Sequence, residues 1–223
     1  MGSRTLERRL TRLRPGSIGI MGGTFDPIHV GHLAVAEEAR DALGLERILF
    51  IPAGQPPHKA AADVSPASDR LALVALAIAG NPAFELSRLE IDRSGPSFTV
   101  DTVAGLVAGE TTAGRTPDLT LILSAETFAD LPTWREPARL LETVRVAVVP
   151  REGYPAPDSG WLARTFPGQE DRVDFLEGPR LGLSSTALRE RVAGGRSIRY
   201  LVPDAVARYI AEHRLYRPGG RPS

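Results

Sequence analysis

The feature that most constrains the fold is a glycine-containing turn between a short apolar segment and a helical segment. Residues 18–21 are predicted to form a buried strand, and residues 33–40 are predicted to begin a helix that ends at Gly44. The turn between them reads Gly22-Gly23-Thr24-Phe25-Asp26-Pro27-Ile28-His29-Val30-Gly31-His32. A strand that leads directly into a helix is the first half of a βαβ unit, and this predicts a sheet of parallel strands.

The same pattern continues along the chain. Further strands are predicted at residues 47–52, 84–92, 119–123 and 144–149. Helices are predicted at residues 69–79 with Ser68 as the N-cap, at 100–107, from Ser184 and Ser185 to Val192, and from Pro203 to His213. The segments 53–66, 109–118 and 153–172 are predicted as loops, the last as an excursion over the surface. The expected fold is α/β, a Rossmann-like open, mostly parallel sheet with helices on both faces.

The turn has the groups that bind phosphate. Gly22 and Gly23 allow a ligand to approach the backbone closely, and the start of a helix presents free N–H groups. His29 and His32 lie three residues apart, so they share a helix face. As histidines, they can carry positive charge near neutral pH. The run differs from both the G-x-G-x-x-G fingerprint and the Walker A loop. Two alternatives are a tight turn with two surface histidines and a zinc site, although no carboxylate at metal spacing completes the latter.

A second candidate site is Leu183-Ser184-Ser185-Thr186-Ala187-Leu188-Arg189. Three hydroxyl residues at a helix start are an ordinary N-cap, and that alone would explain them. Their N–H groups could also hold a phosphate, with Arg189 one turn further along to donate two parallel hydrogen bonds. Because the carboxyl ends of parallel strands meet at one edge of a sheet, the loops after the predicted strands should converge there.

Composition and charge limit the class of protein. The 223 residues carry a formal net charge of zero, which argues against a partner that is nucleic acid or a membrane surface. The chain has no cysteine, so disulfides and thiolate ligands are excluded. We expect an arginine-rich N-terminal extension over residues 1–15, one domain over 16–216 and a tail over 217–223. A cytoplasmic location is expected, and homo-oligomerisation is compatible with the sequence.

Lysine is used once in the chain, at Lys59, where it follows Pro56-Pro57-His58. A solvated loop cation is the simple explanation. The short motifs Ser97-Phe98-Thr99-Val100-Asp101-Thr102, Leu131-Pro132-Thr133-Trp134 and Val149-Pro150-Arg151 follow in order. Trp134 comes after Pro132-Thr133 in a predicted loop, which favours a stacking role over a buried position in the core.

Together these motifs resemble the (His/Thr)-x-Gly-His nucleotidyltransferase superfamily and, within it, the bacterial nicotinate-nucleotide adenylyltransferases. The resemblance runs from about Ser17 to Tyr216. It implies an enzyme of NAD biosynthesis that transfers the adenylyl group of ATP to nicotinate mononucleotide and releases pyrophosphate. It also implies Mg²⁺ as a cofactor, held by phosphate oxygens and water rather than by protein side chains.

The resemblance further implies roles for individual residues. The catalytic residues would be His29, His32 and Arg189. ATP would be bound by Gly22, Gly23, Thr24, Phe25, His29, His32, Ser184, Ser185, Thr186 and Arg189. Nicotinate mononucleotide would be bound by Lys59, Thr99, Ser124, Glu126, Trp134 and Arg151.

The chain departs from the family pattern at three positions. Phe98 stands where the family usually has tyrosine, and Ser124-Ala125-Glu126 stands where it usually has Gly-Ala-Asp. These changes affect the expected ribose contacts but not the reaction class. The alternatives are an adenylyltransferase for nicotinamide mononucleotide or phosphopantetheine, and a catalytically silent nucleotide-binding module. Release of pyrophosphate would separate the last of these from the enzymes.

Overall fold

The computed structural model describes residues 12–56, 63–155 and 157–217. Its centre is a sheet of six strands, all parallel, in the order β3-β2-β1-β4-β5-β6. The strands are β1 (Arg14–Gly23), β2 (Leu45–Pro52), β3 (Phe84–Leu86), β4 (Asp118–Ser124), β5 (Arg145–Val149) and β6 (Val173–Phe175). This is the doubly wound strand order of dinucleotide-binding folds, and it confirms the predicted fold class.

Helices pack on both faces of the sheet. They are α1 (Val30–Leu43), α2 (Ala67–Ile78), α3 (Thr99–Thr112), α4 (Ala125–Ala129), α5 (Pro137–Thr143), α6 (Ser159–Thr165), α7 (Ser185–Ala193) and α8 (Asp204–Glu212). Gly44 follows α1 in the left-handed conformation, with φ of 63°, and its N–H bonds to the carbonyls of Arg40 and Asp41, as a C-terminal glycine does. Among the described residues, no helix is long and apolar enough to cross a membrane.

Two apolar clusters form the core, one on each face of the sheet. One contains Leu73 of α2, Leu188 of α7 and Ile210 of α8. The other contains Val103 of α3 and Leu140 of α5. Since β1 and β4 contribute side chains to both layers, the two central strands are buried on both sides.

The strand order creates a crevice at the centre of the sheet. After β1 the chain moves outward to β2 and β3, and it then returns to the other side of β1 to form β4. Neighbouring connections therefore leave β1 and β4 in opposite directions, which opens a space beyond the carboxyl ends of these strands. The turn that begins at Gly22 and the segment that begins at Ser124 both lie at this edge.

Several local predictions were wrong. The third strand ends at Leu86, and residues 87–97 turn back so that the backbone of Glu90 packs against Gly54. Helix α2 begins at Ala67 with Pro66 as its N-cap, so Ser68 lies inside the helix. Helix α3 continues to Thr112, beyond the predicted end at 107. The predicted surface excursion 153–172 contains α6, whose Leu162 is 2% exposed in the second core cluster.

Candidate active site

The turn after β1 brings the two histidines together at the start of α1. His29 is the N-cap residue, and His32 follows one turn later. Their rings stack with centroids 3.7 Å apart and planes 24° apart. The His29 backbone N–H donates to Nδ1 of His32 over 3.2 Å. Because this nitrogen accepts a hydrogen bond, the proton of the neutral His32 ring belongs on Nε2.

Gly31 makes this packing of the rings possible. A Cβ at residue 31 would lie 3.0 Å from Nδ1 and 3.1 Å from Cε1 of the His29 ring. Contacts of this length would force the imidazole to move by a few tenths of an ångström. Gly31 lies within α1, so it is not needed to form a turn. It leaves the space that the His29 ring occupies.

Both histidines are neutral at pH 7. Burial, and then the positive charge of Arg151, lowers the pKa of His29 to about 4. Burial, His29 and Arg151, in that order, hold the pKa of His32 well below 6.5. The expectation that these rings carry positive charge near neutral pH is therefore wrong. They are preorganised as N–H donors, and a bound polyanion would raise both pKa values.

Helix α7 is joined directly to this turn. Ser184 caps the helix, and its Oγ accepts from the N–H of Ala187. The Ser185 hydroxyl donates to the Pro27 carbonyl over 2.8 Å. Arg189 donates to the Asp26 carbonyl over 2.8 Å and to Oγ1 of Thr186 over 3.3 Å. The predicted N-cap is thus correct, and these bonds place the start of α7 beside the start of α1.

The ends of β4 and β5 add a charged pair. Arg151, just past β5, bonds through Nε to Oε2 of Glu126 over 2.9 Å. Ser124 ends β4 and caps α4, and its Oγ accepts from the N–H of Thr127. The Glu126 carboxylate therefore pairs with an arginine that follows the neighbouring strand.

The far end of the site lies between α3 and the segment before α5. Thr99 is the first residue of α3, and Trp134 follows a short 3-10 turn over Leu131–Thr133. The Arg135 guanidinium lies 4.8 Å from the centroid of the Phe98 ring and 3.6 Å from the Asp101 carboxylate. These two contacts join the segment that carries Trp134 to the start of the helix that carries Thr99.

One cleft of about 510 Å³ brings most of the predicted residues together. The predicted residues that line it are Gly22, Gly23, Thr24, His29, His32, Thr99, Ser124, Glu126, Trp134, Arg151, Ser184, Ser185 and Thr186. Phe25 does not line it, because its ring packs edge-on against His32 and is 2% exposed. Arg189 does not line it either, and its guanidinium donates to the Asp26 carbonyl. Lys59 lies outside the described residues.

A buried arginine holds the loops around the cleft, and sequence reasoning missed it. Arg70 is 2% exposed and donates to the carbonyls of Thr24, Ala53 and Ser65 over 3.1, 2.6 and 3.0 Å, and to that of Gly54 over 3.4 Å. Burial lowers its pKa from the ordinary value. In the sequence, Arg70 is an arginine at the start of an otherwise apolar helix. A solvent-exposed first turn has the same pattern, so the pattern does not indicate a buried arginine.

The loop after β2 is held from a second side. The Ser97 hydroxyl accepts from the N–H groups of Gly54 and Gln55 over 2.9 and 3.2 Å. Ser97 lies two residues before Thr99, so this contact links the loop that leads towards Lys59 with the start of α3. Within the described part of the chain, no group of three or more histidine, aspartate or glutamate side chains could hold a metal ion.

Comparisons with known proteins agree with this architecture. A model of the cytidylyltransferase-like family matches residues 20–191. A protein of Roseiflexus sp. (strain RS-1) is 53% identical over 200 residues, which cover 90% of this chain and 98% of the relative. One from Roseiflexus castenholzii (strain DSM 13941 / HLO8) is 48% identical over 202 residues, with 91% of this chain and 98% of the relative covered. Both carry the name "Probable nicotinate-nucleotide adenylyltransferase".

The fold also matches a solved structure. The Plasmodium falciparum nicotinic acid mononucleotide adenylyltransferase, complexed with NaAD, superposes with a TM-score of 0.75. The alignment covers 90% of this chain and 97% of that one, at 19% identity. At that identity the likeness establishes the shared fold.

Proposed function

We propose that this chain, which belongs to the nicotinate-nucleotide adenylyltransferase family of cytidylyltransferase-like proteins, transfers the adenylyl group of ATP to nicotinate mononucleotide. The products are nicotinate adenine dinucleotide and pyrophosphate. The observation that carries the proposal is the stacked pair His29 and His32. This pair faces one cleft with the start of α7 on one side and Arg151, Thr99 and Trp134 on the other.

The reaction needs positioning and charge stabilisation rather than a covalent intermediate. An oxygen of the acceptor's 5′-phosphate attacks the α-phosphorus of ATP in line, and the bond to pyrophosphate breaks. The nucleophile is already an anion, so no general base is required. His29 and His32 donate N–H groups to the α-phosphate, where they stabilise the charge that develops in the transition state. Gly22, Gly23, Thr24 and the backbone of Phe25 line the triphosphate.

The leaving pyrophosphate is held at the start of α7. Ser184, Ser185 and Thr186 present backbone N–H groups at the positive end of the helix, and Ser184 and Thr186 add their hydroxyls. Arg189 supplies a fixed positive charge that offsets the charge building on the leaving group. Its bond to the Asp26 carbonyl keeps the guanidinium beside the turn that carries the histidines.

The acceptor occupies the end of the cleft near α3 and β5. Trp134 stacks on the pyridine ring, and Thr99 donates to the nicotinate carboxylate from its hydroxyl or its N–H. Arg151 lies near the acceptor phosphate, with Lys59 as a second cation from the loop after β2. Ser124 and Glu126 lie towards the ribose, and Glu126 orients Arg151 through their ion pair.

The donor set around the phosphates fits Mg²⁺ carried by the nucleotide. The proposed phosphate contacts are imidazoles, hydroxyls, N–H groups and a guanidinium, and they include no carboxylate, the side chain that most often holds Mg²⁺. The ion would therefore be held by phosphate oxygens and water. When bound, it neutralises part of the charge on the triphosphate.

The direct experiment is an assay of pyrophosphate release. Wild-type protein is supplied with ATP, Mg²⁺ and either nicotinate or nicotinamide mononucleotide. A site that offers donors to both carboxylate oxygens leaves polar groups unpaired against an amide, at about 1–3 kcal/mol each. We expect kcat/KM to favour the acid by about 10²–10³, since each 1.4 kcal/mol is a factor of ten.

Two variants of α3 sharpen this assay. Thr99→Val removes the proposed hydroxyl donor and should reduce the preference for the acid. Thr111→Val, on the same helix, removes an exposed hydroxyl that bonds only to the Val107 carbonyl of its own helix. It should leave the preference unchanged. Equal kcat/KM for the two mononucleotides in wild-type protein would contradict the acid-specific function, and absence of pyrophosphate release with both would contradict the adenylyltransferase.

A further inference from the structure

The buried carboxylate of Asp26 lies in the catalytic turn but has no part in the mechanism above. Asp26 is 2% exposed and lies three residues before His29. Both of its oxygens accept hydrogen bonds. Oδ1 accepts from the Tyr216 hydroxyl over 2.6 Å, and Oδ2 accepts from the N–H of Ser65 over 3.1 Å. The carboxylate therefore ties the turn to the residues before α2 and to the C-terminal segment after α8.

The backbone of the same dipeptide carries helix α7. The Asp26 carbonyl accepts from Arg189, and the Pro27 carbonyl accepts from the Ser185 hydroxyl. The side chain of Asp26 thus fixes a peptide whose carbonyl groups hold the helix proposed to bind pyrophosphate. A change in the orientation of this peptide moves Arg189 and the start of α7 relative to the histidines.

Tyr216 is held in one geometry for this contact. It has φ of 63°, and Phe25, next to Asp26, has φ of 52°. Residues other than glycine occupy this left-handed region only where their surroundings determine it. Burial, and then the charge of Asp26, raises the pKa of Tyr216, so its hydroxyl keeps its proton and donates.

We infer that Tyr216 is a positioning residue for the triphosphate end of the active site, acting through Asp26 on Arg189 and the start of α7. The inference rests on the proposed function for the identity of the ligand. It predicts a selective effect, because the acceptor subsite at Thr99, Trp134 and Arg151 has no hydrogen bond to Asp26 among the described contacts. Loss of the tyrosine hydroxyl should weaken the use of ATP and leave the affinity for nicotinate mononucleotide unchanged.

The chain offers a matched control. Tyr209 of α8 donates to Oδ1 of Asp69 over 2.8 Å, and Asp69 is 4% exposed. Tyr209→Phe therefore removes the same type of bond, from the same end of the chain to a buried carboxylate, but away from the catalytic turn. The two variants should lose similar stability in urea unfolding, and that measurement also establishes that both are folded.

The test measures KM for ATP, KM for nicotinate mononucleotide and kcat in both variants. Loss of a hydrogen bond to a charged group changes an equilibrium constant by about tenfold or more. We expect Tyr216→Phe to lower kcat/KM for ATP about tenfold with KM for the mononucleotide within about twofold of wild type. Tyr209→Phe should leave all three constants unchanged. Equal effects of the two variants, no effect of Tyr216→Phe, or an equal rise in both KM values would overturn the inference.

Two further measurements separate this inference from the proposed function. Calorimetric titration with a non-hydrolysable ATP analogue measures the effect of Tyr216→Phe without any turnover, so it remains decisive if wild-type protein does not use nicotinate mononucleotide. Asp26→Asn weakens the same contact from its acceptor side. It should reduce binding of the analogue at least as much as Tyr216→Phe, and unchanged binding in this variant would also overturn the inference.

Discussion

Replacement of Gly31 by alanine separates catalysis from stability. The new Cβ would lie 3.0 Å from Nδ1 and 3.1 Å from Cε1 of His29, so the imidazole must move by a few tenths of an ångström. A displacement of about 1 Å at a catalytic group can cost roughly 10²-fold in rate, and we expect Gly31→Ala to lower kcat about tenfold. Alanine is favoured over glycine within a helix by about 0.5–1 kcal/mol, which offsets the strain of the contact.

The assay combines steady-state pyrophosphate release with thermal unfolding. Gly109→Ala in α3 is the matched control, because a Cβ at Gly109 meets nothing within 4 Å. It should raise stability slightly and leave kcat unchanged. Gly31→Ala should unfold within a few degrees of wild type while kcat falls. A Gly31→Ala variant with wild-type kcat would refute the argument that this glycine sets the position of His29.

Three other predictions test separate parts of the account. Arg189→Lys keeps the charge, but lysine cannot bond to both the Asp26 carbonyl and Thr186. KM for ATP should therefore rise about tenfold with little change in KM for the acceptor. A rise in KM for the acceptor alone would place Arg189 in the other subsite. Arg70→Met leaves four backbone carbonyls without their donor and should cost about 3 kcal/mol in urea unfolding, whereas Arg88→Met at a fully exposed pair should cost much less; equal losses would contradict the role of Arg70. The pKa of His29 is lowered to about 4 in the folded protein, so between about pH 6.5 and pH 4 the unfolded chain binds a proton that the folded chain does not. The free energy of unfolding should therefore be highest above about pH 6.5 and should fall by up to about 3 kcal/mol as the pH falls towards 4. His29→Asn should remove this part of the pH dependence, and an unchanged pH dependence would contradict the shift.

The parallel α/β architecture could be predicted because its signals are local. Apolar runs such as residues 119–123 read as buried strands, and Gly44 and Ser184 mark a helix end and a helix start by their own conformational preferences. The short elements were missed for the opposite reason. Strand β6 has three residues, Val173–Phe175, and it is a strand only because β5 lies beside it. Too few residues of it alternate to give a periodic signal.

The contacts within the site are non-local, and this limited their prediction. Arg70 reaches the Thr24 carbonyl 46 residues earlier in the chain, and Tyr216 reaches Asp26 across 190 residues. Spacing in the sequence carries no information about such pairs. The neutral state of His29 and His32 was likewise hidden, because it depends on burial and on Arg151 from another strand. The assignment of residues to ATP and to the acceptor stays a prediction.

The central claim is a single in-line transfer in which His29 and His32 donate hydrogen bonds and do not act as nucleophiles. The most direct test is the stereochemistry at the α-phosphorus. Wild-type protein is supplied with nicotinate mononucleotide and one diastereomer of ATP that carries sulfur at the α-phosphorus, and the configuration of the dinucleotide product is read by ³¹P NMR. One displacement predicts inversion of configuration. Retention would indicate two displacements through an adenylylated enzyme, with a histidine as the nucleophile, and would contradict the account.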